Sequence, residues 1–105
     1  MNRIVLYFLL IYSININAQQ SMNMSLLSVQ SYSSDLNDVW GYSSNNGEYA
    51  LVGLYDGISV VNITNPSSPI DLGFYPGPSS MWRDIKTYGA YLYCINETGG
   101  GLQIL

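Results

Sequence analysis

The chain of 105 residues contains no histidine and a single cysteine, Cys94. One cysteine cannot close an intramolecular disulfide, and without an imidazole a Cys–His nucleophile cannot be assembled. Within Tyr91-Leu92-Tyr93-Cys94-Ile95 the cysteine reads instead as a small buried hydrophobe. Cations are nearly as scarce. Arg3, Arg83 and Lys86 stand against seven acidic residues, for a net charge of −4. No basic patch exists to neutralise phosphates, which excludes nucleic acid as a partner. The acidic residues are spread along the chain and serve solubility rather than forming an acidic tail. No apolar run reaches the roughly 20 residues that a membrane-crossing helix needs. Past residue 18, no stretch sustains a helical period.

The first residues differ in character from all that follow. Arg3 supplies a positive start, Ile4 to Tyr12 form a short apolar core, and Ala18 is a small residue at a cleavage position. This pattern predicts a secretory signal peptide over residues 1–18. Gln19 rather than cysteine follows the cut, which argues against a lipid anchor. Export is therefore expected, to a secreted or cell-surface location, with no membrane span once the signal peptide is gone. Residues 19–31 form a polar leader whose Leu26-Leu27-Ser28-Val29 is a candidate closing strand.

From residue 32 the chain repeats itself. Asp38-Val39-Trp40-Gly41-Tyr42, Tyr49-Ala50-Leu51-Val52 and Gly57-Ile58-Ser59-Val60-Val61 return, in order, as Asp84-Ile85-Lys86-Thr87-Tyr88, Tyr91-Leu92-Tyr93-Cys94 and Gly101-Leu102-Gln103-Ile104-Leu105. A period of about 44 residues built from short apolar strands is the pattern of four-stranded β-propeller blades. Strands are expected at 38–42, 49–54, 58–63, 70–75, 82–88, 91–96 and 102–105. Asn45-Asn46-Gly47 and Asp56-Gly57 are expected to supply positive φ at tight turns. The fold class is thus all-β, with a first blade over 32–78 and a second, incomplete blade over 79–105. Propellers close with about four to eight blades, so the sequence is expected to be the N-terminal part of a longer protein.

The run Asp35 to Tyr42, then Glu48 to Gly53, then Asp56 to Pro69, with Ser80 to Tyr88 after it, resembles the secreted choice-of-anchor B family with its LVIVD-type propeller repeats. The resemblance covers about residues 27–105. It implies an exported bacterial protein with several such repeats and a surface anchor supplied by a C-terminal segment. Asn62 stands where the family usually has Asp and keeps a side-chain oxygen for capping the loop.

Five residues are candidates for ligand binding: Asp38, Trp40, Trp82, Arg83 and Asp84. Asp38 and Asp84 are equivalent by repeat, each at a strand start and two residues from a tryptophan, Trp40 and Trp82. They read either as carboxylates at a channel mouth, able to hold Ca2+ or a sugar hydroxyl, or as acceptors of backbone N–H groups that fix the blades. Arg83 is a candidate partner for Asp84 or clamp for a ligand carboxylate. Trp40 and Trp82, with Tyr42, Tyr49, Tyr75, Tyr88 and Tyr91, supply either a carbohydrate platform or packing between blades. No cofactor is implied. The function expected is a non-catalytic binding or scaffold module for a protein or carbohydrate ligand. The alternative is the N-terminal part of a propeller hydrolase of glycosidase type, its catalytic residues beyond Leu105.

Overall fold

The computed structural model describes residues 23–105. The expected signal peptide and the first residues of the leader lie outside the described residues. Seven strands make up the secondary structure: β1 (Leu36–Ser44), β2 (Gly47–Leu54), β3 (Gly57–Asn62), β4 (Ile70–Pro76), β5 (Arg83–Tyr88), β6 (Tyr91–Asn96) and β7 (Gln103–Ile104). No helix occurs among the described residues. The strands form two antiparallel meanders, a four-stranded sheet in the order β1-β2-β3-β4 and a three-stranded sheet in the order β5-β6-β7. The fold is all-β.

Each expected strand is present, its ends matching or displaced by one or two residues. Ile63 leaves β3, and its N–H donates to the Glu48 carbonyl at 2.9 Å. The run Leu26-Leu27-Ser28-Val29 is a correction, because it joins no sheet. Its Ser28 hydroxyl donates to the Pro66 carbonyl instead. The turn at Asp56-Gly57 also differs from expectation. Tyr55 and Asp56 make the turn with Leu54 opposite Gly57, and no positive φ is used there. Glycine is needed at 57 for space, since a Cβ would stand 2.3 Å from the Tyr75 carbonyl oxygen. At the first turn the positive φ, 144°, falls on Gly47, as expected.

The sequence repeat is reproduced strand by strand in the pairing register. Val39 opposite Val52 opposite Ser59 in the first sheet becomes Ile85 opposite Cys94 opposite Gln103 in the second. Trp40, Leu51 and Val60 become Lys86, Tyr93 and Ile104 in the same way. Because side chains alternate across a strand, equal register places equivalent residues on equivalent faces.

The core lies between the sheets. Leu51 and Ile58 of the first meet Ile85, Leu92 and Cys94 of the second, and Trp40, Tyr42 and Val60 pack against them. Full burial of an Ile or Leu side chain contributes about 1.5–3 kcal/mol, so this contact is the principal apolar term joining the sheets. The two contacting faces are not equivalent by repeat. Ile85 and Cys94 correspond to Val39 and Val52, which lie on the opposite side of the first sheet. The sheets therefore stack head to tail, each presenting a different face to its neighbour.

Candidate functional site

Hydrophobic burial holds the sheets together, and a set of polar contacts sets their alignment. β1 begins with an irregularity at Asn37, where pairing shifts between Leu36 and Asp38. The extra residue aims the Asn37 amide at the connection between the sheets, where it donates to the Ser80 carbonyl at 3.0 Å. Asp38 follows on the face turned toward the second sheet. Its Oδ2 accepts the Ile85 N–H at 2.7 Å, a donor on the free edge of β5 that has no strand partner on that side. Two residues along the same face, Trp40 Nε1 donates to Thr87 Oγ1 at 3.0 Å. The Lys86 ammonium lies 4.4 Å from the centroid of the Trp40 ring, within cation–π range.

Arg83 opens β5 and is only 6% exposed. Its Nε donates to the Leu54 carbonyl at 2.7 Å, and its Nη2 to the carbonyls of Tyr55 and Pro78. The guanidinium thus draws the β2–β3 turn and the inter-sheet connection onto the start of the second sheet. Its planar fork suits three converging carbonyls in a way an ammonium does not. The Arg83–Asp84 pairing suggested by adjacency is not formed, because strand alternation sends the two side chains to opposite faces. Asp84 pairs instead with Lys86, two residues on and on its own exposed face.

Asp38 and Asp84 share a repeat position and differ in surroundings. A sheet lies against Asp38 and supplies its N–H donor, whereas Asp84 faces solvent. Trp82 is exposed just before β5. The five candidates therefore do not converge on one point. Asp38, Trp40 and Arg83 join the sheets, and Trp82 and Asp84 lie on the surface. Among the described residues, no three His, Cys, Asp or Glu side chains gather where they would hold a metal ion.

Cys94 is buried in the core, 1% exposed. Burial disfavours its thiolate and pushes the thiol pKa up, against a smaller opposing pull from the nearby Arg83. It aligns with Val52 and packs as that residue type would.

Ser80, Asn37 and Thr87 are the positions that a reading of the sequence passed over. Thr87 was legible, since it alternates with Ile85 on one face of a strand. Asn37 and Ser80 act only through the meeting of β1 with a connection more than forty residues away.

Two concavities accompany this junction. A cleft of about 270 Å3 opens between the sheets, lined by Tyr42, Leu51, Val60, Tyr75, Thr87 and Leu92 among others. A wider groove of about 590 Å3 runs over the far face of the first sheet. Set beside known families, curated proteins and solved structures, the chain has no match.

Proposed function

We propose that this protein is an exported, non-catalytic binding module of the β-propeller type, its two sheets being consecutive blades of the choice-of-anchor B kind. It works outside the cytoplasm or at the cell surface and holds a carbohydrate ligand in the cleft between the blades. The observation that carries this reading is the inter-sheet cleft. It is concave, mostly apolar, and offers the phenol rings of Tyr42 and Tyr75 with the Thr87 hydroxyl nearby. Aromatic faces with a few polar groups suit the C–H faces and hydroxyls of a sugar. The lack of histidine and the suppressed thiolate at Cys94 support binding over chemistry.

Binding is tested by titrating the purified protein with a panel of neutral oligosaccharides and following tyrosine and tryptophan fluorescence or heat. At least one oligosaccharide is expected to bind, and Tyr75→Ala to weaken it about tenfold, the loss of one stacking contact. Tyr75 is partly exposed on the outermost strand β4, so the variant keeps the core. No binding across the panel, or binding indifferent to Tyr75→Ala, overturns the carbohydrate reading. Export is checked separately by sequencing the N-terminus of the secreted product, which is expected to begin at Gln19.

A further inference from the structure

The leader that runs into β1 lies across the far face of the first sheet, the face turned away from the second. Its side chains alternate as those of an extended chain do. Ser28, Gln30 and Tyr32 line the groove over Val39, Ala50, Val52 and Val61. Between them Leu27 and Val29 stand 55% and 71% exposed. Side-chain hydroxyls hold the leader in place. Ser28 donates to the Pro66 carbonyl, Tyr32 to Ser59 Oγ at 3.3 Å, and Ser34 to the Asp56 carboxylate at 2.7 Å. Among the described residues, backbone-to-backbone bonding to the sheet begins at Asp35, one residue before β1, whose carbonyl accepts the Tyr55 N–H at 2.8 Å.

This cover differs in kind from a packed sheet. Ile85 and Cys94, which hold the register of Val39 and Val52, are 0% and 1% exposed where the first sheet lies against them. Val39, beside the leader, is 65% exposed. A segment with few buried apolar contacts and solvent-exposed hydrogen bonds belongs to the low end of local stability. We propose that residues 28–34 are a releasable strap, hinged at Asp35 and latched by Ser28 and Tyr32. Docked, it closes the far face of the first sheet to other apolar surfaces; released, it opens that face. Water replaces exposed hydroxyl bonds at little cost, and the groove gains by taking apolar surface out of water. The strap, its latches and the face it covers all lie among the described residues, so the device does not depend on what the chain carries after Leu105. A further sheet that comes to stack on this face has to displace the strap.

The test compares the purified chain with a variant carrying Ser28→Ala and Tyr32→Phe, which lacks both latches. Ser59 keeps Asp71 as its acceptor in that variant, so no buried hydroxyl is orphaned. Limited chymotrypsin digestion reads the strap by cleavage after residues 27 and 32, with the peptides identified by mass. Phenylalanine at 32 preserves the cleavage site. Each lost bond is expected to raise the released population, and with it the cleavage rate, about fivefold. Binding of an anilinonaphthalene sulfonate dye reads the face beneath. It is expected to rise in the variant, and to rise further when residues 23–31 are removed, although Leu26, Leu27 and Val29 leave with them. Circular dichroism on the same samples is expected to show an unchanged β spectrum. Ser31→Ala, on the outward side of the leader, is expected to match the parent in every measurement.

Equal cleavage of the parent and the latch variant overturns the proposal, because the two hydroxyls then hold nothing. Dye binding that stays level or falls on removal of residues 23–31 overturns it as well, since no apolar face is being covered. Loss of the β spectrum in the latch variant also ends it, by making the leader a fixed part of the fold. Sugar binding in the cleft on the opposite face is read separately and decides neither outcome.

Discussion

The carboxylate of Asp38, on the first strand of one sheet, accepts the backbone N–H of Ile85, on the first strand of the other, at 2.7 Å. The donor belongs to an edge strand, where an unpaired N–H beside an apolar core is costly. A charged acceptor strengthens the bond relative to a neutral one. Asp38→Ala leaves the Ile85 N–H without a partner and is expected to lower stability by about 1.5–3 kcal/mol. Urea titration followed by tryptophan fluorescence measures the loss. A change below a few tenths of a kcal/mol would show that water replaces the carboxylate at no cost.

Arg83 carries a different kind of junction. Its donors reach three carbonyls on the β2–β3 turn and the inter-sheet connection. Arg83→Lys keeps the charge and loses the fork, leaving carbonyls unsatisfied around a buried ammonium. The expected cost is about 3 kcal/mol, read as a drop in urea midpoint with the slope unchanged. Stability equal to that of the parent protein would reduce Arg83 to a point charge.

Gly57 is required by the close approach of β4. An added Cβ would meet the Tyr75 carbonyl oxygen at 2.3 Å and the Phe74 ring at 2.6 Å. The backbone atom cannot swing aside as a side chain can. Gly57→Ala is expected to destabilise by about 1–3 kcal/mol, the range for overpacking. Gly41→Ala, at a position with free space, serves as the control and is expected to stay within about 0.5 kcal/mol of the parent. Thermal melts of the two variants side by side decide the matter.

Cys94 yields a prediction in pH. Burial raises the folded thiol's pKa above that of the unfolded chain. Its contribution to stability is complete below the ordinary thiol range of about 8.5. It is lost as pH climbs from there toward the raised folded value, because the unfolded chain then binds fewer protons than the native one. The difference in stability between the parent and Cys94→Val is therefore expected to shrink or change in favour of the variant as pH rises above that range. The same burial predicts that a thiol reagent modifies Cys94 in urea and leaves it intact in the folded protein. Rapid modification without denaturant would contradict the burial.

The strands were legible because runs of Val, Ile, Leu and Tyr alternate between turn residues, and period-two burial needs no knowledge of distant neighbours. The failure at Leu26 to Val29 has a simple cause. An apolar run becomes a strand only where a sheet edge accepts its backbone, and the Ser28 hydroxyl is drawn to the Pro66 carbonyl instead. Arg83 was harder to read. A lone arginine beside an aspartate looks the same in sequence whether it faces a ligand, its neighbour or three carbonyls.

The amino-acid sequence by itself determined the all-β class, the seven strand positions to within a residue or two, and the repeat of one half in the other. These are local consequences of side-chain alternation and turn chemistry. Only the tertiary structure decided that the sheets stack head to tail, that Asp38 is a junction while Asp84 stays in solvent, and that Arg83 serves backbone carbonyls. Equivalent positions in a repeat share a register but not a neighbour, and whether a charged group binds, bridges or faces water depends on what lies against it.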